Sequence, residues 1–151
     1  KKTKILFLDN FFISYRKTKL KKGQFVHSIR IPLFEDNTFK AYKVSKRFDD
    51  DISSVCAAFN LEIVKNRIQN VRIAYGGMAA IPKRAIYCEK ILSNSLVTEE
   101  IIHNAKKALE KDFKPISDMR ASGLYRMEVA KNLLEKCCAE IKQKKLIGVY
   151  F

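Results

Sequence analysis

Asp49, Asp50 and Asp51 crowd three carboxylates onto one short segment, with Lys46 and Arg47 just before them. Like charges at that spacing repel and hold such a segment at the surface. The other reactive residue types are sparse. Cys56, Cys88, Cys137 and Cys138 include no pair with the two-residue gap that lets thiolates converge on one zinc or iron–sulfur centre, so they read as reduced thiols. His27 and His103 have no nucleophile or metal partner nearby in sequence. Gly76-Gly77 lacks the third glycine and the following helix start of a dinucleotide fingerprint, and reads as a strand-ending turn. Asp118, Arg120, Ser122 and Arg126 have the spacing of a capping and ion-pair network at a helix start. No residue of the chain is assigned a catalytic or metal-binding role.

The elements that must hold these groups follow from periodicity. Residues 5–7 suit a short strand and 10–12 a turn or short helix. Residues 25–31 alternate, with Phe25, His27, Ile29 and Ile31 on one face, and Pro32 ends that strand. Glu35-Asp36-Asn37 marks a boundary, and 39–45 is a further strand. In 53–64, Val55, Ala57, Phe59, Leu61 and Ile63 share one face. Lys65-Asn66-Arg67 makes a tight reversal in which Asn66 tolerates positive φ, and Val71, Ile73 and Tyr75 return. The period then becomes helical. Pro82 is placed as the first residue of a helix with the stripe Ala85, Cys88 and Leu92. Thr98 caps a second helix carrying Ile101, Ile102, Ala105, Ala108 and Leu109. Ser122 opens a third, with Met127, Ala130, Leu134, Cys137 and Ile141 at steps of three and four. About three antiparallel strands followed by three helices define an α+β layer.

At 151 residues, with 47% of them apolar, the chain can bury one core with a segment to spare, and composition argues against disorder. Its apolar runs are too short to cross a bilayer or to serve as a signal peptide, which points to the cytoplasm. The net charge of +14 is concentrated early: Lys1, Lys2, Lys4, Arg16, Lys17, Lys19, Lys21 and Lys22 face only Asp9. Such a field attracts nucleic acid, acidic proteins or phosphates alike. No motif of a known nucleic-acid module accompanies it, so a lysine-solvated surface is the simpler reading.

Three ordered segments carry a family resemblance. Phe11-Phe12-Ile13-Ser14-Tyr15-Arg16-Lys17-Thr18 with Phe25-Val26-His27-Ser28-Ile29-Arg30-Ile31-Pro32 resembles the end of the flavin-binding domain of xanthine dehydrogenases. Ser45-Lys46-Arg47-Phe48-Asp49-Asp50-Asp51-Ile52 and Ala74-Tyr75-Gly76-Gly77-Met78-Ala79 resemble the start and middle of the domain that follows. Ser117-Asp118-Met119-Arg120-Ala121-Ser122 with Tyr125-Arg126 resembles the entry to its last helix. The acidic triplet and its flanks look closer to the xanthine branch than to carbon monoxide dehydrogenase relatives.

The resemblance implies residues 1–35 as the end of an FAD-binding domain, 36–145 as the flavoprotein C-terminal domain and 146–151 as a tail. It implies an oxidoreductase of purine catabolism, in which xanthine is hydroxylated at a molybdenum cofactor in another subunit. Electrons then pass through iron–sulfur clusters to FAD and on to NAD. This chain would supply one wall of the flavin and NAD site. Its partners would be upstream FAD-binding and iron–sulfur domains and the molybdenum-cofactor subunit, with no membrane and no nucleic acid. The implied cofactor-side residues are Phe25 and Val26 beside the isoalloxazine, Lys43 near the flavin or its nicotinamide partner, Tyr15 and Arg16 toward the nicotinamide pocket, and Asp50 in the acidic loop. Each has a plainer alternative: a core residue for Val26, a solvated lysine for Lys43, a surface pair for Tyr15–Arg16, a solvated loop for Asp50. Phe48 stands where vertebrate relatives carry a basic residue, which leaves a charge-switching role for the loop in question. Residues able to cradle FAD diphosphate would lie before Lys1, so the chain alone is expected to retain no FAD and to be inactive. An aldehyde or carbon monoxide dehydrogenase flavoprotein is the second reading, and a basic nucleic-acid module a third.

Overall fold

The computed structural model describes residues 3–32, 37–48, 51–65 and 67–143. The expected boundary at Glu35 and Asp36, the reversal residue Asn66, Asp49 and Asp50, and the tail 146–151 lie outside those residues.

An antiparallel sheet on one side and three helices on the other make an α+β fold. Its strands are β3 (Asn37–Val44), β4 (Val55–Val64), β5 (Arg67–Gly76) and two short ones, β6 (Lys83–Arg84) and β7 (Ser95–Leu96), both paired with β5. The order β3-β4-β5-β6 is a plain meander. Its register puts Tyr42 opposite Ala57 and Phe59 opposite Ile73, so one apolar face runs across three strands. Val55, Ala57, Phe59, Ile73 and Tyr75 are all but inaccessible to solvent. A row of edge-to-face rings crosses this face: Tyr42 on Phe59, Phe59 on Tyr75, Tyr75 on Phe113, with centroids 5.9, 5.9 and 5.4 Å apart. Each such pair adds about 0.5–1.5 kcal/mol to the area that it buries.

The helices are α1 (Ile86–Leu92), α2 (Glu99–Asp112) and α3 (Gly123–Gln143). The expected stripes are the buried ones: Ala85, Cys88 and Leu92; Ile102, Ala105, Ala108 and Leu109; Ala130, Leu134 and Cys137, with Ile101, Met127 and Ile141 at their margins. The Thr98 hydroxyl accepts from the Ile101 amide at 3.2 Å, and the Ser122 hydroxyl from the Tyr125 amide at 3.1 Å, so both expected caps are present. Polar links pin α3 to the sheet, and two of them come from tyrosines. The Tyr75 hydroxyl donates to the Ala130 carbonyl at 2.9 Å, and that of Tyr42 to Glu140 at 2.9 Å.

Three expectations need correction. Pro82 does not open α1, because Lys83 and Arg84 first pair with Tyr75 and Ala74 as β6, and the helix begins at Ile86. Residues 5–7 form no strand; the regular element there is a 3-10 turn at Leu8–Asn10, ahead of a small hairpin of β1 (Phe12–Ser14) and β2 (Lys17–Thr18). Residues 25–31 do alternate, yet they join no ladder. Alternation reports which face a strand would bury, while a strand also needs a neighbour to take its amides and carbonyls.

Candidate functional site

The acidic segment follows β3 and returns to β4, and its described arms, 45–48 and 51–54, are fastened from below. Arg47 pairs with Asp51 at 3.3 Å, and this hydrogen bond above all holds the Asp51 carboxyl below its ordinary range. On the first arm the Lys46 ammonium donates to the Met119 carbonyl at 2.8 Å. On the second the Ser54 amide bonds the Val44 carbonyl at 2.8 Å, and the Ser54 carbonyl accepts from Arg126 at 2.5 Å.

Arg126 is the centre of this arrangement. Its side chain is 4% exposed. One terminal nitrogen donates to the carbonyls of Ser54 and Gly77, the latter at 2.9 Å, and the other donates to Asp118 Oδ1 at 2.7 Å. A buried guanidinium requires such acceptors, since an unpaired charge there would be costly. Gly77 is glycine for the same reason. Its φ is +80°, and a Cβ there would stand 2.3 Å from the Ser54 carbonyl oxygen and 3.1 Å from the Arg126 guanidinium. Asp118 also accepts from the amides of Arg120 at 2.8 Å and Ala121 at 3.1 Å. The Arg120 amide, with Arg126 and the Ala121 amide, holds the Asp118 carboxyl down at about 2. Above this base lies an open cleft of about 370 Å³, lined in part by Ser45, Lys46, Arg120, Ser122 and Tyr125.

The residues singled out in the sequence fall elsewhere. Tyr15 and Arg16 meet at the β1–β2 turn, where the Arg16 guanidinium carbon lies 5.4 Å from the Tyr15 ring centre and Arg16 has φ 58°. Phe25 and Val26 belong to the extended stretch outside both sheets and are 77% and 51% exposed. The strand expected to carry them is absent. Lys43 projects from β3 opposite Cys56, on the sheet face away from the helices. Asp50 lies outside the described residues. None of the described five lines the 370 Å³ cleft. All five side chains are exposed.

The capping and ion-pair network expected at the start of α3 is present, in the Asp118 pairs with Arg120 and Arg126 and the Ser122 cap, while the Ser54 carbonyl has no local sign in the sequence. Arg126 itself stands four residues before Ala130 and eight before Leu134, on the stripe that faces the core. An arginine in a core register calls for buried acceptors.

A meander backed by three helices, with a clamped acidic segment at one end, defines a small α+β accessory domain. Residues 40–141 match the CO dehydrogenase flavoprotein C-terminal domain, and the chain belongs to that family. It is 29% identical over 132 residues to the glyceraldehyde dehydrogenase medium chain of Sulfolobus acidocaldarius, covering 87% of this chain and 47% of that one. It is 35% identical over 110 residues to a xanthine dehydrogenase of Emericella nidulans, covering 70% of this chain and 8% of that one. Among solved structures, quinoline 2-oxidoreductase from Pseudomonas putida 86 superposes with a TM-score of 0.78 at 22% identity, over 89% of this chain and 47% of that one, a likeness of fold. The chain thus spans about half the length of the glyceraldehyde dehydrogenase relative and a small part of the xanthine dehydrogenase.

Proposed function

We propose that this chain is the C-terminal part of the FAD subunit of a molybdenum hydroxylase, a xanthine dehydrogenase, and that it forms one wall of the site where electrons pass from flavin to NAD. The observation that carries the reading is the bare apolar lead. Phe25, Ile29 and Ile31 are 77, 74 and 74% exposed beside a well-packed core, and 25–32 resembles the end of a flavin-binding domain. Large apolar side chains in that number favour a covering surface. Residues 1–35 are accordingly proposed as the edge of that flavin-binding domain, and 36–145 as the domain built on it.

FAD, when bound, supplies a carrier that takes electrons one at a time and passes them on as a pair. In this reading Phe25 and Val26 give apolar contact to its ring, and the Lys43 ammonium offsets negative charge. The Tyr15–Arg16 pair offers a stacking face and a bidentate fork for a diphosphate. Asp50 is proposed from resemblance alone. The iron–sulfur and molybdenum centres would belong to partner domains and subunits. The acidic triplet favours the xanthine branch.

The likeness to the glyceraldehyde dehydrogenase medium chain supports a second reading, an aldehyde or carbon monoxide dehydrogenase flavoprotein. The test is to purify the assembled enzyme that carries this chain and supply xanthine, an aldehyde and carbon monoxide in turn, with NAD as acceptor. Xanthine-dependent reduction of NAD is expected. Oxidation of the aldehyde or of carbon monoxide, with xanthine untouched, would transfer the chain to the second reading.

A further inference from the structure

The geometry points to Arg126 as the positioning residue of the acidic segment: its buried guanidinium fixes where the arms 45–48 and 51–54 leave the sheet. This goes beyond the proposed function but rests on it for the consequence at the flavin. Three independent parts of the chain meet on one side chain. The Ser54 carbonyl begins the return into β4, the Gly77 carbonyl follows the end of β5, and Asp118 precedes α3. A planar fork with donors on both ends holds these acceptors at a set angle, which a single ammonium cannot do. The position has no room for adjustment, since Gly77 must be glycine for the carbonyls to converge. The first arm is tied to the same base through Lys46 and the Met119 carbonyl, one residue beyond Asp118.

The segment's anchorage is therefore separable from the core's. Arg126 Nε has no hydrogen-bond partner, so all of the fork's bonds run through its two terminal nitrogens toward these three acceptors. Lysine in its place keeps the charge, but its three donors radiate from one nitrogen and cannot span acceptors set at both ends of the fork. The core contacts of α3, from Ala130 onward, do not pass through the fork.

Two variants of the assembled enzyme test this, Arg126→Lys and the milder Asp118→Asn, which keeps the Ser54 and Gly77 bonds. Amide hydrogen exchange over 45–48 and 51–54 is compared with that of β4 and β5. For Arg126→Lys we expect at least a tenfold faster exchange in the arms with the strand amides unchanged, and a smaller effect of the same pattern for Asp118→Asn. Exchange unchanged in the arms, or raised equally throughout the sheet, overturns the inference. The flavin reading is scored separately, with Asp51→Asn alongside. If the arms lie beside the flavin, KM for NAD rises several-fold in Arg126→Lys and Asp51→Asn while kcat with a dye that accepts electrons ahead of the flavin is kept. Faster exchange with KM unmoved in both variants supports the clamp and counts against the proposed function.

Discussion

The four thiols divide sharply by environment. Burial raises the Cys88 thiol well above its ordinary range, Cys137 to about 12 and Cys138 to about 11, so their nucleophilic thiolate form is scarce at neutral pH. Cys56 alone is exposed. Native protein treated with a thiol reagent should therefore lose one thiol quickly per chain, and all four only in denaturant; labelling counted by mass spectrometry checks this. Asp118 gives a pH dependence with a definite sign. Its folded carboxyl sits at about 2, below the ordinary value of 3.8, so the stabilisation it supplies is complete above about pH 4 and is lost as pH falls toward 2. Acid unfolding of Asp118→Asn should show a shallower stability decline across that interval than the parent chain.

At the scale of elements, α1 has no side-chain cap of its own at Ala85. The Asp112 carboxylate, at the far end of α2, accepts from the Tyr87 and Cys88 amides, both at 2.9 Å. Replacing Asp112 by alanine should cost about 2 kcal/mol, a lost cap plus buried unpaired amides, read from urea unfolding. Tyr75→Phe removes only the bond to the Ala130 carbonyl and should cost about 1 kcal/mol in the same measurement. These elements also mark how far the sequence could be read. Stripes at 55–63 and along all three helices were legible because burial acts on every turn of a regular period. The caps Thr98 and Ser122 were legible because they act within three residues. The Arg126–Asp118 pair, eight residues apart, was legible as well. The Asp112 cap and the Arg126 bonds to the Ser54 and Gly77 carbonyls were not, because those partners lie 24 to 72 residues away. The false strand at 25–31 failed similarly: its pattern is local, and the ladder it lacks is not. Of the candidate site, the acidic segment and the Tyr15–Arg16 pairing were readable, whereas the clamp beneath the segment was not.

Across the whole molecule, two surfaces are unlike in character. The helix-backed sheet is closed by its own core, while the lead before it carries bare apolar side chains among a strong excess of lysine. The isolated chain should bind FAD in far less than equimolar amount, as absorbance near 450 nm after gel filtration would show; a stoichiometric yellow protein would overturn the proposed division of the flavin site. No described helix is long and apolar enough to cross a membrane. The reach of Asp112 has a wider consequence for how this molecule comes apart. A seven-residue helix whose first amides are answered from the end of its neighbour has no independent existence, so α1 and α2 should open and close as one unit. A proteolytic cut within α2 would then release both, and the sheet would lose two of its three helices at a single stroke.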